Sequence, residues 1–309
     1  MLPLRLITGD KIGIVAPSSP YKEKYRDNFE RARKLLESMG YELVFGKNLF
    51  ATNEEFPVHA QKRADDINAM FANKEIKAII TLQGGDNANS ILPLLDYDLI
   101  RKNPKIFMGL SDITTILNAI YTKTGLITYH TNDYLFGFGG DFTEYDMEDF
   151  NNALVLGNRT EIKPTTERKV IREGEAEGKL VGGNLRCLLK LAGTEYFPDF
   201  RESILFVEAM SGNVKQYEYM FEQLKQIGVF DLIKGAIVGY VKGLQEEVEA
   251  KIQMEDILLK VTERYKFPII KCDDFGHKNS NAVMPIGVKV KIDTVDCSIK
   301  LLEKEITLD

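Results

Sequence analysis

The chain has 309 residues, of which 44% are hydrophobic and 28% charged, and its formal net charge at pH 7 is −6. A chain of this length exceeds what one hydrophobic core usually serves, so we expect two domains. The charge balance argues against a nucleic-acid partner, which needs a basic stripe, and no stretch approaches the roughly 20 apolar residues of a membrane span.

In the first part of the chain, short apolar runs alternate with amphipathic helical patterns. Five runs have the composition of strands and cover residues 12–17, 41–46, 76–85, 105–110 and 126–130. Helical spacing of apolar residues occurs at 21–40, 59–73 and 112–125. Strands that alternate with helices are typical of a parallel, doubly wound sheet. We therefore predict an α/β domain over residues 1–135.

The pattern changes after this domain. Residues 136–168 begin Gly-rich and acidic, and we expect them to connect two domains, with one short helix near residues 146–155. In the remainder, alternation predicts a hairpin-like β segment over 169–184 and β structure over 282–303. Further strands are predicted at 203–208, 235–241 and 268–276, and helices at 185–193, 214–230 and 254–265. The fold class is thus α/β, with a β-rich C-terminal domain over residues 169–309.

Ser111 follows the fourth predicted strand, in the stretch Gly109-Leu110-Ser111-Asp112, and a helical pattern begins directly after it. Serine is favoured as a helix N-cap, and for an arbitrary serine in this context that role is the more common one. A tight strand-to-helix turn can instead expose the hydroxyl as a nucleophile and aim the next backbone N–H at an oxyanion. The G-x-S-x-G pattern of such turns is incomplete here, so both roles stay open.

A glycine turn, Gly84-Gly85-Asp86-Asn87, follows the third predicted strand. Ligands bind at the carboxyl ends of strands in an open parallel sheet, and glycines let the backbone approach a ligand closely. The turn could present N–H groups to an oxyanion or to a phosphate. Two other classes of function therefore remain, a phosphotransferase that uses this loop with ATP and a ligand-binding protein without turnover.

A serine nucleophile needs a general base, and the chain has three histidines, His59, His130 and His277. His59 opens a predicted surface helix, and His130 ends a strand near the domain junction, where it could line a cleft. His277 lies in a polar loop, where catalytic groups are common, although a loop histidine is more often a surface residue. Glu208 ends an apolar strand and could orient a histidine base, or it could be a surface charge.

The chain gives no sign of disulfides, targeting segments or metal sites. Its three cysteines, Cys187, Cys272 and Cys297, lack CxxC spacing, which predicts reduced thiols in a cytoplasmic protein. The N-terminus has no apolar core behind a basic start, so we expect no signal peptide. No cluster of His, Cys and Asp has ligand spacing, and we expect neither a metal nor another cofactor.

Six stretches, in this order, resemble the LD-carboxypeptidase family of serine peptidases, which includes the microcin C immunity peptidases. They are GDKIGIVAPSSP, GGDNANSILPLLDYDLI, GLSDIT, GKLVGGNL, ILFVE and FGHKNSNAVMPIGVKVKID, within about residues 10–295. The resemblance implies a parallel α/β N-terminal domain, a β-rich C-terminal domain, an active site at their junction and a homodimer. It also implies a small-molecule or short-peptide substrate and no metal.

The resemblance assigns roles to individual residues. It implies a catalytic triad of the nucleophile Ser111, the orienting acid Glu208 and the base His277. It implies an oxyanion hole from backbone N–H groups of Gly85, Asp86 and Asp112. It places Gly84, Asn87 and Asn184 in substrate binding.

Two departures from the family pattern bear on the substrate. The stretch from Gln83 to Asn87 lacks the Arg and Tyr of the R-G-G-Y-G turn of LD-carboxypeptidases proper. This absence favours a peptidyl- or aminoacyl-nucleotide of the microcin C type as the substrate, with a murein tetrapeptide as the alternative. Immunity peptidases of this type are similar in stacking an aromatic side chain, often Trp, on the nucleobase, but this chain has no Trp. Four aromatic residues at the junction could replace it: Tyr134, Phe136, Phe138 and Phe142. A further departure from the family pattern is the stretch HTNDY, residues 130–134, which stands where family members more often have Gly-Pro.

Overall fold

The computed structural model describes residues 1–50 and 59–308. Residues 51–58 and 309, which the predicted domain ranges include, lie outside the described residues. Two sheets organise the described chain, one of six strands and one of seven. These sheets and the helices that accompany them confirm the predicted α/β class and the two-domain architecture.

The first sheet has five parallel strands, whose order from one edge is β2-β1-β3-β4-β5. They are β1 Lys11–Val15, β2 Glu42–Phe45, β3 Ile76–Thr81, β4 Ile106–Gly109 and β5 Thr128–His130. The accompanying helices are α1 Arg26–Ser38, α2 Ala60–Ala72, α3 Tyr97–Lys102 and α4 Thr114–Thr124. The central strands β1, β3 and β4 are almost completely buried, as expected where helices cover both faces of a parallel sheet.

The second sheet combines four parallel strands with antiparallel strands at its edges. The parallel core consists of β7 Glu175–Asn184, β8 Ser203–Met210, β9 Gly235–Lys242 and β10 Ile269–Gly276. The antiparallel strands are β6 Lys169–Arg172, β12 Lys289–Asp293 and β13 Ser298–Leu301. Four helices belong to this half of the chain: α6 Leu185–Leu189, α7 Val214–Gln226, α8 Val229–Leu232 and α9 Met254–Val261.

The predicted hairpin-like segment over residues 169–184 is wrong. Its two strands lie apart in the second sheet, because β6 pairs with β10 at one edge while β7 pairs with β8 and β12. The C-terminal half of β7 is buried throughout, which requires neighbours on both sides, whereas β6 is partly exposed. Alternation along the sequence identified both strands but carried no information about their partners.

One strand of the C-terminal half joins the first sheet. β11 Met284–Ile286 pairs antiparallel with β5, and Met284 lies opposite His130. The chain therefore returns to the first domain directly after the loop that contains His277. This return ties the His277 loop to the edge of the sheet that carries Ser111.

The connection contains more helix than the sequence predicted. α5 Glu144–Phe150 begins before the predicted start because Thr143 and Asp146 form a capping box, and it continues as a wider π-helical turn over Asn151–Leu156. Asp146 Oδ1 accepts hydrogen bonds from Asn132 Nδ2 at 2.9 Å and from the Asn281 backbone N–H at 2.7 Å. The connection thus joins the loop after β5 to the loop after β10. No helix in the described ranges is long and apolar enough to cross a membrane.

Candidate active site

Ser111 lies in a strained turn at the carboxyl end of β4. Its backbone φ is 67°, a left-handed conformation that non-glycine residues rarely adopt. A short 3₁₀ turn over Ser111–Ile113 leads from this point into α4. Leu110 precedes the turn and no side chain caps it, so the alternative that Ser111 is a helix N-cap is wrong. The strained backbone places the Ser111 side chain in an open cleft instead of against the helix end.

The glycine turn after β3 lies directly against Ser111. A methyl group on Gly84 would be 2.7 Å from Ser111 Cβ and 3.0 Å from its Oγ. A methyl group on Gly85 would be 2.4 Å from Ser18 Oγ. Both positions therefore require glycine because of close approach. The backbone N–H groups of Gly85 and Asp86 donate to no residue that the structure describes, and both residues line the cleft, whereas Asp112 is completely buried.

The carboxylate of Asp112 holds these turns together, a role that the sequence did not suggest. It is fully buried, and its Oδ2 accepts from Ser18 Oγ and from the Ala88 backbone N–H, each at 2.7 Å. Lys190 Nζ from the second domain donates to Asp112 Oδ1 at 2.6 Å and to the Asp86 carbonyl at 2.8 Å. The turn at Ser111, the glycine turn and the loop after β1 are thus joined by one buried carboxyl group.

Glu208 and His277 meet although they are far apart in the sequence. Glu208 is near the end of β8, His277 follows β10, and Glu208 Oε2 lies 2.6 Å from His277 Nδ1. Asn184 Nδ2 donates to the other carboxylate oxygen at 2.9 Å. With Nδ1 as the donor to Glu208, His277 Nε2 is the unprotonated nitrogen, and it has no partner among the described residues. This is the tautomer that a general base needs.

The electrostatic environment keeps Glu208 ionised. Burial by itself would raise the pKa of this fully buried carboxyl, but the charge of His277 and the contacts with His130 and His277 outweigh burial and hold the pKa well below its usual value. Glu208 is therefore no surface charge at a strand end. It is a buried carboxyl behind the wall of the cleft, with its pKa lowered by the neighbouring imidazoles.

The cleft brings together most of the residues that the sequence singled out. It has a volume of about 570 Å³, and its lining includes Gly84, Gly85, Asp86, Ser111, Asn184 and His277. Ser111 and His277 both face this space, but the resting structure shows no hydrogen bond between them. Asp112 and Glu208 lie behind the lining.

Three predicted or considered residues lie elsewhere. Asn87 does not line the cleft, and its side-chain oxygen accepts from Arg63 Nη1 at 3.1 Å. His130 is completely buried against Glu208, so the expectation that it could line the cleft is wrong. His59 is exposed and immediately precedes α2, outside the cleft lining.

Only one of the four aromatic candidates at the junction lines the cleft. Phe136 is 47% exposed and meets Tyr25 edge to face at 5.1 Å between ring centroids. Tyr134 and Phe138 belong to the core of the first domain, and Phe142 stacks on Phe138 at 4.7 Å. The sequence did not suggest Tyr25, which lies within the helical pattern of residues 21–40.

The cleft also contains charged residues that the sequence did not suggest. Four cationic side chains line it: Lys22, Arg186, Lys242 and Lys278. Their positions in loops and element ends on the carboxyl side of the strands were the available signal. Asp133 lies there as well, and burial raises the pKa of its carboxyl to about 6, although backbone N–H groups of Phe136 and Gly137 donate to it. In residues 1–50 and 59–308 no group of three or more His, Cys, Asp or Glu side chains could hold a metal ion.

Known proteins are similar to this chain over nearly its full length. Family models of the LD-carboxypeptidase N-terminal and C-terminal domains match residues 12–131 and 177–292. The chain is 31% identical to the microcin C7 self-immunity protein MccF of Escherichia coli, with 100% of this chain and 98% of the relative covered. It is 32% identical to a probable murein peptide carboxypeptidase of Bacillus subtilis, with 95% and 92% covered. The solved structure of MccF in complex with aspartyl sulfamoyl adenosine superposes with a TM-score of 0.90 at 29% identity, covering 99% of this chain and 100% of that one.

Proposed function

Because the chain belongs to the LD-carboxypeptidase family and is a serine-type peptidase, we propose that Ser111, His277 and Glu208 form its catalytic triad. The 2.6 Å contact between Glu208 Oε2 and His277 Nδ1 carries this proposal, since it orients the imidazole toward the cleft that Ser111 lines. The unpartnered Nε2 of His277 is the atom that would take the serine proton.

In the first half of the reaction Ser111 Oγ attacks an amide carbonyl carbon while its proton moves to His277 Nε2. Glu208 stabilises the imidazolium that forms. Backbone N–H groups of Gly85, Asp86 and Asp112 stabilise the negative charge on the former carbonyl oxygen, and Lys190 steadies this arrangement through Asp112 and the Asp86 carbonyl. His277 then gives its proton to the leaving nitrogen as the C–N bond breaks.

In the second half water replaces the leaving group. It attacks the acyl carbon while His277 Nε2 takes a proton from it, and the proton returns to Ser111 Oγ as the C–O ester bond breaks. Substrate binding would close the gap between Ser111 and His277, because catalytic hydrogen bonds are often loose in an unliganded enzyme.

The substrate that the cleft suits best is a peptidyl- or aminoacyl-nucleotide. Phe136 offers an exposed aromatic ring to a planar base, and the partly exposed Tyr25 packs edge to face against it. The cationic side chains of Lys22, Arg186 and Lys242 suit a phosphate-like anion between base and amide. The similar MccF structure contains aspartyl sulfamoyl adenosine, which joins an amino acid to a nucleoside. A murein tetrapeptide is the second candidate, because a related chain is a probable murein peptide carboxypeptidase.

The homodimer, the cytoplasmic location and the domain limits stay predictions.

A fluorophosphonate probe with intact-mass detection tests the triad. We expect one adduct on the wild type, none on Ser111→Ala, and a strongly slowed adduct on His277→Ala. Ser38→Ala, an exposed serine at the end of α1, serves as the control and should react like the wild type. An adduct that survives Ser111→Ala would contradict the assigned nucleophile.

Hydrolysis assays then separate the substrates. We expect release of the amino acid from an aminoacyl sulfamoyl adenosine to be faster than release of the terminal D-residue from a murein tetrapeptide, and Phe136→Ala to slow only the former. A phosphotransferase would instead retain activity in Ser111→Ala and lose it in Asp86→Ala. A ligand-binding protein would turn over neither compound.

A further inference from the structure

His130 is a completely buried imidazole without a hydrogen bond. Its exposure is 0%, and neither Nδ1 nor Nε2 has a partner in the part of the chain that the structure describes. A buried polar atom without a partner is unfavourable, because it has lost its hydration and gained nothing in return. An apolar side chain of similar size would avoid this cost, so the imidazole at this position needs an explanation.

The His130 ring lies between aromatic side chains and the Glu208 carboxylate. The ring packs edge to face against Phe206 and Phe275, with centroid distances of 5.6 and 6.4 Å, and the tight backbone at Gly183 borders its Cδ2. On the remaining side, Nε2 lies 3.8 Å from Glu208 Oε1. This distance is about 1 Å longer than a hydrogen bond, but at a completely buried site it is short enough for the carboxylate charge to interact with the dipole of an imidazole N–H.

The sheets fix this position. His130 lies beside Gly109 in the register of β5 and β4 and opposite Met284 of β11, so strands hold its backbone on both sides. Its side chain extends from the first domain toward Glu208 in the second domain. Glu208 therefore has His277 at Oε2, and Asn184 and His130 at Oε1.

We propose that His130 is a positioning residue for the catalytic acid: as a neutral imidazole protonated at Nε2, it directs its N–H toward Glu208 Oε1. This inference rests on the proposed function of Glu208. His130 touches neither the cleft nor Ser111, and it acts on the reaction through the Glu208 carboxylate alone. The N–H favours the ionised acid and opposes its rotation away from His277.

The arrangement affects how tightly the pair of Glu208 and His277 binds its proton. A donor at Glu208 Oε1 stabilises the pair most when His277 is neutral, because the pair then carries a full negative charge. Removal of that donor makes the pair hold its proton more tightly. Among the described residues, Cys187 on α6 and Tyr217 on α7 interact electrostatically with Glu208, and Asp133 after β5 interacts with His277. All three are retained in the variants below.

Nuclear magnetic resonance of the imidazole nitrogens tests the proposal without any substrate, and the chain has only three histidines. In the wild type we expect His130 to be the Nε2–H tautomer at neutral pH. In His130→Phe, which keeps an aromatic ring but has no nitrogen, we expect the pH midpoint of the His277 signals to rise by about 0.5–1 unit. In His130→Gln, whose amide can still donate, the midpoint should stay within about 0.3 unit of the wild type. His59→Gln supplies the assignment control.

Kinetics gives a second readout. We expect the acid limb of kcat/KM in His130→Phe to move to higher pH by the same amount as the midpoint, with KM little changed and partial recovery in His130→Gln. A wild-type His130 protonated at Nδ1 would overturn the proposal even if no variant folds. A His277 midpoint that is equal in wild type and His130→Phe would overturn it as well. Failure of the proposed function would instead appear as absent turnover and absent Ser111 labelling with these midpoint shifts intact.

Discussion

Lys190 Nζ lies 2.6 Å from Asp112 Oδ1, an ion pair that joins the second domain to the residue after Ser111. The Asp112 side chain is fully buried, while the Lys190 side chain is 22% exposed. Because Lys190 also donates to the Asp86 carbonyl, one ammonium group fixes the turn at Ser111 and the glycine turn relative to each other. The ion pair thus makes the geometry of the proposed oxyanion hole depend on the contact between domains.

Lys190→Met should loosen this arrangement without removing any group that touches the substrate. We expect kcat to fall by about 10- to 100-fold with a smaller change in KM, because catalysis is sensitive to small misplacements. The free energy of unfolding should fall by about 1–4 kcal/mol, since Asp112 keeps only its neutral donors. Kinetics and urea unfolding measure the two effects. The control is Lys234→Met, whose surface pair with Glu202 should matter little; equal kcat values in the two variants would contradict the assigned role.

Glu208→Gln should be severely impaired although its shape is nearly unchanged. The amide can donate to His277 Nδ1, which moves the imidazole proton to Nε2 and removes the base. We expect kcat/KM to fall by about 10²- to 10⁴-fold, measured by hydrolysis of the aminoacyl sulfamoyl adenosine. Glu218→Gln on the exposed face of α7 is the matched control and should keep wild-type activity. A loss of less than about tenfold in Glu208→Gln would argue against the triad.

The φ of 67° at Ser111 predicts that a glycine variant is more stable than an alanine variant there, the reverse of the usual order within a helix. Ser111→Gly and Ser111→Ala should both be inactive, but we expect the glycine variant to be more stable, by about 0.5–1 kcal/mol, because glycine adopts this conformation without strain. Ser38 at the end of α1 supplies the comparison, since glycine should there be the less stable substitution. Urea unfolding of the four variants gives the result. The same order at both sites would mean that the Ser111 backbone is not strained.

Gly84→Ala should displace Ser111. The added methyl group would lie 2.7 Å from Ser111 Cβ, so one of the two turns has to move. We expect about a 100-fold loss of kcat, measured with the same substrate. Gly125→Ala is the control: with φ 74° and no atom within 4 Å of its methyl group, it should lower stability but not activity. Wild-type activity in Gly84→Ala would mean that the glycine turn is not held against Ser111.

Asp133 should make stability depend on pH in the opposite direction from most carboxylates. Burial raises the pKa of its carboxyl from 3.8 to about 6, so above pH 6 the folded state contains an ionised group that it disfavours. Below pH 3.8 both the folded and the unfolded states bind the proton, and the contribution disappears. Asp133→Asn should therefore be more stable than the wild type at pH 8, by at most about 3 kcal/mol, with the difference vanishing toward pH 4.

Urea unfolding between pH 4 and 8 measures this difference. Asp27→Asn, an exposed position in the first turn of α1, should change stability little and uniformly over the same range. A difference between Asp133→Asn and the wild type that shrinks as the pH rises would contradict the raised pKa.

The sequence predicted the strands of the first domain because each is an apolar run of the right length between turn residues. The same local signals located Ser111 and the glycine turn at strand ends. They failed for the pairing of β6 and β7, whose alternation is equally compatible with a hairpin and with separate positions in a sheet. They also suggested the wrong local role for Ser111, because N-cap preference describes a relaxed helix start, whereas this turn is strained.

By itself, the sequence determined the α/β class, the alternation of elements and, through a resemblance to known peptidases, the family and the residues proposed for catalysis. Only the tertiary structure decided which side chains meet. Glu208 contacts His277 across 69 positions, and Lys190 contacts the Asp86 carbonyl across 104. Propensity and periodicity act over a few residues, whereas these contacts depend on how two sheets pack and on where β11 returns to the first one. The proposed role of His130 arises in the same way, because the Glu208 carboxylate that it faces belongs to the other domain.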